Sequence, residues 1–173
     1  MKNDIIKPVL ALAAICLVVS AALALVNDAT HPAIEAAAND RAPAAMSQII
    51  PQAGGFELIE SDALPEGIVE AYSASDGSGY IFIAASGGFG GEIRVMCGID
   101  NDGGIIKLKT LQHNETKGLG DYIDSAAFTD QFDGLGKGGP QGIDAVTGAT
   151  ISFNAFVSAV DYALDAFEIL TGR

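Results

Sequence analysis

The sequence predicts an α+β protein with a single N-terminal transmembrane helix and one folded domain that combines an antiparallel sheet with flanking helices. Three features predict it: an apolar run near the start, closely spaced alternating segments in the middle, and a helix-periodic segment at the end. With 173 residues, the chain suits one such domain in addition to the anchor.

The apolar run covers residues 8–26, nineteen residues without an Asp, Glu, Lys, Arg or His. A helix of that length roughly crosses the hydrocarbon core of a bilayer. Lys2 and Lys7 precede the run, and acidic residues follow it. Positive charge on the N-terminal flank places the N-terminus in the cytoplasm and the domain outside, at the inner membrane of the cell.

A secretory signal peptide is the alternative, because residues 22–24 (Ala-Leu-Ala) resemble a cleavage site. The run is longer than the usual apolar region of a signal, which favours a retained anchor. We therefore expect the anchor at 1–26, a stalk at 27–50 that is interrupted at Pro32 and Pro43, and the folded domain at 51–173.

The middle of the chain predicts three consecutive strands. The segments are Tyr80–Ala85, Glu92–Ile99 and Ile105–Gln112. A glycine-dense turn at 87–91 joins the first two, and the turn 100–104, rich in Asp, Asn and Gly, joins the next two. Strands connected this closely must be antiparallel.

The loop 113–121, HNETKGLGD, follows the last of these strands. It combines ionisable and hydroxyl side chains with glycines, a composition typical of functional loops that are rooted in a sheet. A polar connection between sheet and helix is the alternative. A short helix is expected at 124–132, with Phe128 and Phe132 on its inner face.

The segment 144–150, DAVTGAT, stands directly before a long helix. Apolar residues recur there at three- and four-residue steps, which indicates one buried face: Phe153, Phe156, Val157, Val160, Leu164 and Phe167. We expect Thr150 or Ser152 to lie at the helix N-terminus, where hydroxyl oxygens cap free amides and an anion is favoured. Gly148 and Ala149 keep the backbone approachable for a phosphate, although an ordinary N-cap explains the same residues.

Composition excludes several classes of function. The net charge is −13, without the clustered Lys and Arg that a nucleic-acid binder needs. Cys97 is the single cysteine beyond the apolar run, so a structural zinc or iron–sulfur site is not expected.

Two segments, HNETKGLGD and DAVTGATIS, start about thirty residues apart. Together they resemble the flavin-binding domain of the G subunit of the Rnf complex. That complex is a membrane-bound, ion-translocating ferredoxin:NAD oxidoreductase, and the C subunit of the sodium-translocating NADH:quinone oxidoreductase is homologous. The resemblance covers most of the chain, including the anchor and the paired strands. The family's loop usually reads ETPGLG, and Lys117 stands here in place of its proline.

The resemblance implies covalent FMN, joined through a phosphoester to Thr150 by a separate flavin transferase that uses FAD and recognises Asp144 among other features. It implies a wider set of cofactor-binding residues from both motifs: Thr147, Gly148, Ala149, Ser152, His113, Glu115, Thr116, Gly118, Leu119 and Gly120. His113 and Glu115 are expected to tune the flavin or to serve as structural hydrogen-bonding groups.

The function that the resemblance implies is that of an electron-transfer subunit, without a complete active site of its own, that works with other membrane subunits of the Rnf complex. Ion conduction is expected in those subunits, because the apolar run has no charged residue at membrane depth. Two alternatives stay open: a stand-alone, membrane-anchored flavoprotein that feeds an extracytoplasmic reductase or regulatory system, and a flavin-free ligand-binding or scaffold domain.

Overall fold

The structure, a computed structural model, describes residues 2–143, 145 and 147–172, with residues 2–5 and 33–43 described by backbone alone. The chain divides into two compact units, Met1–Asp40 and Arg41–Arg173. Helix α1 spans Lys2–Ile49 without interruption, so the predicted breaks at Pro32 and Pro43 are wrong. Its segment Ile6–Pro32 has 27 residues, about 40 Å of helix, and is long and apolar enough to cross a membrane.

The second unit is built on a five-stranded antiparallel sheet in which neighbours in sequence are neighbours in space. The strands are β1 (Phe56–Leu58), β2 (Ile68–Ala74), β3 (Tyr80–Gly87), β4 (Glu92–Ile99) and β5 (Ile105–Gln112). Strands β4 and β5 have the predicted bounds, and the predicted α+β class is confirmed. Strands β1 and β2 were not predicted from the sequence.

Helices follow the sheet in the chain. Short helical segments occupy Asp121–Asp124, Ala126–Thr129 (α2), Asp130–Phe132 and Pro140–Gly142, and the long helix α3 occupies Thr150–Thr171. The region predicted as one short helix at 124–132 therefore consists of α2 and 3-10 turns.

The first face of the sheet is the one that α3 and α2 cover. Alternating residues of β4, among them Ile93, Val95 and Cys97, point to this face because side chains alternate along a strand. All six apolar residues that predicted the buried face of α3 are buried. The rings of Phe128, Phe132 and Phe156 pack with centroids 5.1–5.4 Å apart, which joins α2 to α3.

The second face of the sheet packs against the last turns of α1. Met46, Ile49 and Ile50 are buried there with Ile81 and Met96. The compact unit thus begins at Arg41, and it includes residues that were predicted to belong to a stalk at 27–50.

Candidate functional site

A cleft of about 240 Å³ lies where three segments of the second unit meet. These segments are the β3–β4 turn, the loop that follows β5, and the start of α3. The residues that line it are Phe89, Glu115, Thr116, Leu119, Gly120, Gly148, Ala149, Thr150, Ile151 and Ser152. The two sequence motifs, separated along the chain, thus form one site.

The start of α3 forms one wall of the cleft. Thr150 is the first helical residue, and it is exposed and lines the cleft. The N-cap is Ala149, which has no side-chain acceptor, and the first amides of a helix have no intrahelical partner. Gly148 turns the chain into the helix with a φ of +87°, in the left-handed region that glycine adopts without strain.

The loop after β5 forms the opposite wall as a tight turn around one carbonyl. The Thr116 carbonyl accepts hydrogen bonds from the amides of Leu119 and Gly120, at 3.1 and 2.9 Å. The Gly118 amide donates to Asp121 Oδ1 at 2.9 Å, and Gly118 has a φ of +75°. These hydrogen bonds close the turn around Lys117.

Glu115 lies between the walls, and its residue is only 7% exposed. The Ser152 hydroxyl donates to Glu115 Oε2 at 2.5 Å, and the Gly90 amide donates to Oε1 at 2.9 Å. These two hydrogen bonds satisfy both oxygens of the buried side chain and link all three segments of the cleft.

The mouth of the cleft is apolar. Phe89, Leu119 and Ile151 are 70%, 43% and 56% exposed, one from each segment. Large apolar side chains grouped at the edge of a pocket indicate a surface for an apolar ligand or partner.

Most of the predicted site residues meet in the cleft. Eight line it: Thr150, Gly148, Ala149, Ser152, Glu115, Thr116, Leu119 and Gly120. His113, Thr147 and Gly118 do not line it, and Asp144 lies outside the described residues. Instead, the Nδ1 atom of His113 accepts a hydrogen bond from the Glu115 amide at 3.3 Å. This contact lies within the loop that follows β5.

Two aspects of the site differ from the predictions. The expected cap by Thr150 or Ser152 is wrong: Ala149 occupies the N-cap, and Ser152 uses its hydroxyl for Glu115. Phe89 and Gly90 were missed, because a glycine-dense turn was interpreted only as a connection. An exposed Phe within that turn was the available signal.

Comparison with known proteins places the cleft within a described domain. A family model for the FMN-binding domain matches residues 88–165, which include all three segments of the cleft. The chain is 32% identical to the G subunit of the ion-translocating oxidoreductase complex of Methanosarcina acetivorans, with 94% of each chain covered. It is 35% identical to the corresponding G subunit of Shewanella loihica, over 97% of this chain and 92% of the relative. A third relative, from Acetobacterium woodii, is the G subunit of a Na⁺-translocating ferredoxin:NAD⁺ oxidoreductase complex, 31% identical over 95% of this chain and 94% of its own length.

Proposed function

We infer the function from one premise: this chain belongs to the family of G subunits of ion-translocating oxidoreductase complexes, and it contains an FMN-binding domain. We propose that it transfers electrons through FMN that is covalently bound at Thr150, within a membrane complex that couples ferredoxin:NAD oxidoreduction to ion translocation. The single observation on which this depends is that Thr150 is exposed at the start of α3, which has no side-chain cap, in a cleft formed by both motifs.

The start of α3 fits a phosphodiester. Free amides and the positive end of the helix dipole stabilise an anion, so a basic side chain is not required. This matters in a chain with a net charge of −13. Gly148, two residues before Thr150, adds no side chain to this part of the cleft. In the reaction of the flavin transferase, the Thr150 oxygen forms a bond to the phosphorus of FAD that carries the flavin. The bond between this phosphorus and the AMP part breaks, and AMP leaves.

The mouth of the cleft fits an isoalloxazine ring. Phe89, Leu119 and Ile151, one from each segment of the cleft, offer apolar contact. The cleft, at about 240 Å³, is smaller than the roughly 300–1,000 Å³ of pockets that enclose drug-sized ligands. A ring bound there would therefore keep part of its surface exposed, which would shorten the distance for electron transfer to another subunit. FMN supplies the one- and two-electron chemistry when it is bound.

The membrane segment supports the same assignment. Ile6–Pro32 provides an anchor, and the charges around it favour a cytoplasmic N-terminus with the flavin domain on the outer, periplasmic side. Other membrane subunits then supply the ion pathway and the electron donor and acceptor.

The test is the replacement of Thr150 by alanine in the full chain, produced together with a flavin transferase. We expect the wild-type chain to retain yellow flavin fluorescence in a denaturing gel and to show the FMN mass on peptide 138–173, released by trypsin after Lys137. Thr150→Ala should lose both signals completely, because the attachment oxygen is absent.

Thr171→Ala is the matched control, since Thr171 is a threonine of the same tryptic peptide that lies at the opposite end of α3 and does not line the cleft. It should keep the fluorescence. Fluorescence that persists in Thr150→Ala would exclude Thr150 as the attachment residue, and an unmodified wild-type peptide would exclude covalent FMN.

A further inference from the structure

We propose that Glu115 is the positioning residue of the attachment site: its carboxylate joins the β3–β4 turn, the loop after β5 and the first turn of α3, and so sets the direction in which Thr150 faces the cleft. The contacts of Glu115 are independent of any cofactor. The consequence for the flavin depends on the function proposed above.

The hydrogen bonds of Glu115 connect parts of the chain that are distant in sequence. Gly90 is 25 residues from Glu115, and Ser152 is 37 residues from it. Ser152 is 2% exposed and follows Thr150 by two positions on the same helical turn. The hydrogen bond between Ser152 and Glu115 therefore also limits how far the first turn of α3, which carries Thr150, can rotate about the helix axis.

The carboxylate of Glu115 is closely surrounded by backbone that carries no side chain. A Cβ added at Gly88 would lie 2.3 Å from Glu115 Oε1, and one added at Gly120 would lie 2.9 Å from Oε2 and 2.8 Å from Ser152 Oγ. Backbone without side chains thus encloses the carboxylate on both sides. Close packing of this kind holds a side chain in one rotamer.

Two substitutions of Glu115 can distinguish the effect of its hydrogen bonds from the effect of its charge. Glutamine can accept from the Gly90 amide through its carbonyl and donate to the Ser152 oxygen through its amide, because a hydroxyl both donates and accepts. Alanine leaves the Gly90 amide and the Ser152 hydroxyl without their partner. If Glu115 acts by position, Glu115→Gln should therefore preserve the site and Glu115→Ala should not.

The first measurement is amide hydrogen exchange on the full chain in its flavin-free form. In Glu115→Ala, we expect exchange at Gly90 and in the first turn of α3 to accelerate roughly tenfold or more, because the hydrogen bonds that oppose local opening are lost. Glu115→Gln should stay within about threefold of wild type. The matched control is Glu92→Ala, since Glu92 follows the same turn but is exposed.

The second measurement uses the chain after flavin attachment. Fluorescence anisotropy of the bound flavin should fall in Glu115→Ala, and quenching by iodide should increase, because Thr150 then holds the flavin in a mobile turn. Glu115→Gln and Glu92→Ala should match wild type in both readouts. If Glu115→Ala does not fold, Ser152→Ala provides the test, since it removes one of the two hydrogen bonds and should shift the readouts in the same direction.

Unchanged exchange and anisotropy in the Glu115→Ala and Ser152→Ala variants would overturn the proposal. It would also be overturned if Glu115→Gln behaved like Glu115→Ala, because charge and not hydrogen-bonded position would then be responsible. A wild-type chain without covalent flavin would refute the proposed function alone, since the exchange measurement does not require flavin.

Discussion

Single glycines determine how closely the segments of the cleft approach one another. Gly88, Gly90 and Gly120 each lie where a Cβ would meet another segment at less than 3.0 Å. At Gly90 the neighbour is the backbone carbonyl of Asn114, which cannot move as a side chain can. The absence of a side chain at Gly88 and Gly90, in the turn between β3 and β4, is therefore a packing requirement of the site.

Two neighbouring glycines of this turn, Gly87 and Gly88, should respond differently to replacement by alanine, so that one variant is the control for the other. Gly88→Ala should destabilise the domain by about 1–3 kcal/mol and reduce protection of the Gly90 amide, because the new methyl group overlaps Glu115 Oε1 and Ile93. Gly87→Ala should change stability by less than about 0.5 kcal/mol, since its Cβ meets nothing within 4 Å. Chemical denaturation of both variants is the measurement, and equal stabilities would contradict the packing at Gly88.

Tyr72 predicts a pH dependence of stability. Burial, followed by the hydrogen bond to Glu70 and its negative charge, raises the pKa of Tyr72 from 10.0 to about 12. Between pH 10 and 12 the unfolded chain loses this proton before the folded chain does, so the free energy of unfolding should decrease as the pH rises through that interval.

Tyr72→Phe should show a smaller decrease over the same pH interval, because the remaining tyrosines titrate in both proteins. The measurement is the difference between the two proteins in denaturant unfolding from about pH 9 to pH 12. Parallel curves would show that the phenol of Tyr72 titrates alike in the folded and unfolded states.

At the level of secondary-structure elements, the last turns of α1 belong to the folded domain that follows this helix in the chain. Ile49 is 2% exposed, and a Cβ at Gly98 would lie 2.2 Å from its Cγ2 atom. The glycine in β4 thus allows the helix to pack directly on the second face of the sheet. The sheet is buried on both faces in this region, because Ile81 and Met96 are fully buried beneath the helix.

Because of this packing, shortening one side chain at the end of α1 should strongly lower the free energy of unfolding, although the sequence assigned this segment to a stalk. Ile49→Ala should lower the free energy of unfolding of the domain by about 2–5 kcal/mol, because it removes a buried side chain and leaves a cavity. Gln48→Ala, next to it but exposed, should cost less than about 1 kcal/mol, since it loses only a surface hydrogen bond to Lys109. Similar values for the two variants in urea denaturation would contradict the packing of α1 on the sheet.

Across the whole molecule, the net charge of −13 opposes compactness. Self-repulsion among surface carboxylates is screened by salt, whereas the buried hydrogen bonds of Glu115 are screened much less. The chain therefore combines a salt-sensitive surface with a site whose internal contacts depend weakly on salt.

We expect the thermal midpoint of the detergent-solubilised chain to rise as NaCl increases from about 20 to 200 mM, because the screening length shortens over that interval. The anisotropy of the attached flavin should change little under the same conditions. Thermal scans at constant pH are the measurement, and a midpoint that falls with salt would show that attractive charge pairs dominate the surface.

Elements with local signals could be predicted from the amino-acid sequence without any structure. An uncharged apolar run predicts a membrane-spanning segment, short turns force β3, β4 and β5 to be antiparallel neighbours, and a helical period predicts the buried face of α3. The two motifs indicated the flavin family because their letters and order are specific. These inferences need no knowledge of distant contacts.

The way in which the site is held together became visible only in three dimensions. The contacts of Glu115 with Gly90 and Ser152 span 25 and 37 residues, and no periodic pattern connects positions so far apart. For the same reason Phe89 was missed at the cleft, and the last turns of α1 were assigned to a stalk. Side-chain hydrogen bonds and face-to-face packing depend on where the chain returns in space, and that is set by the fold as a whole.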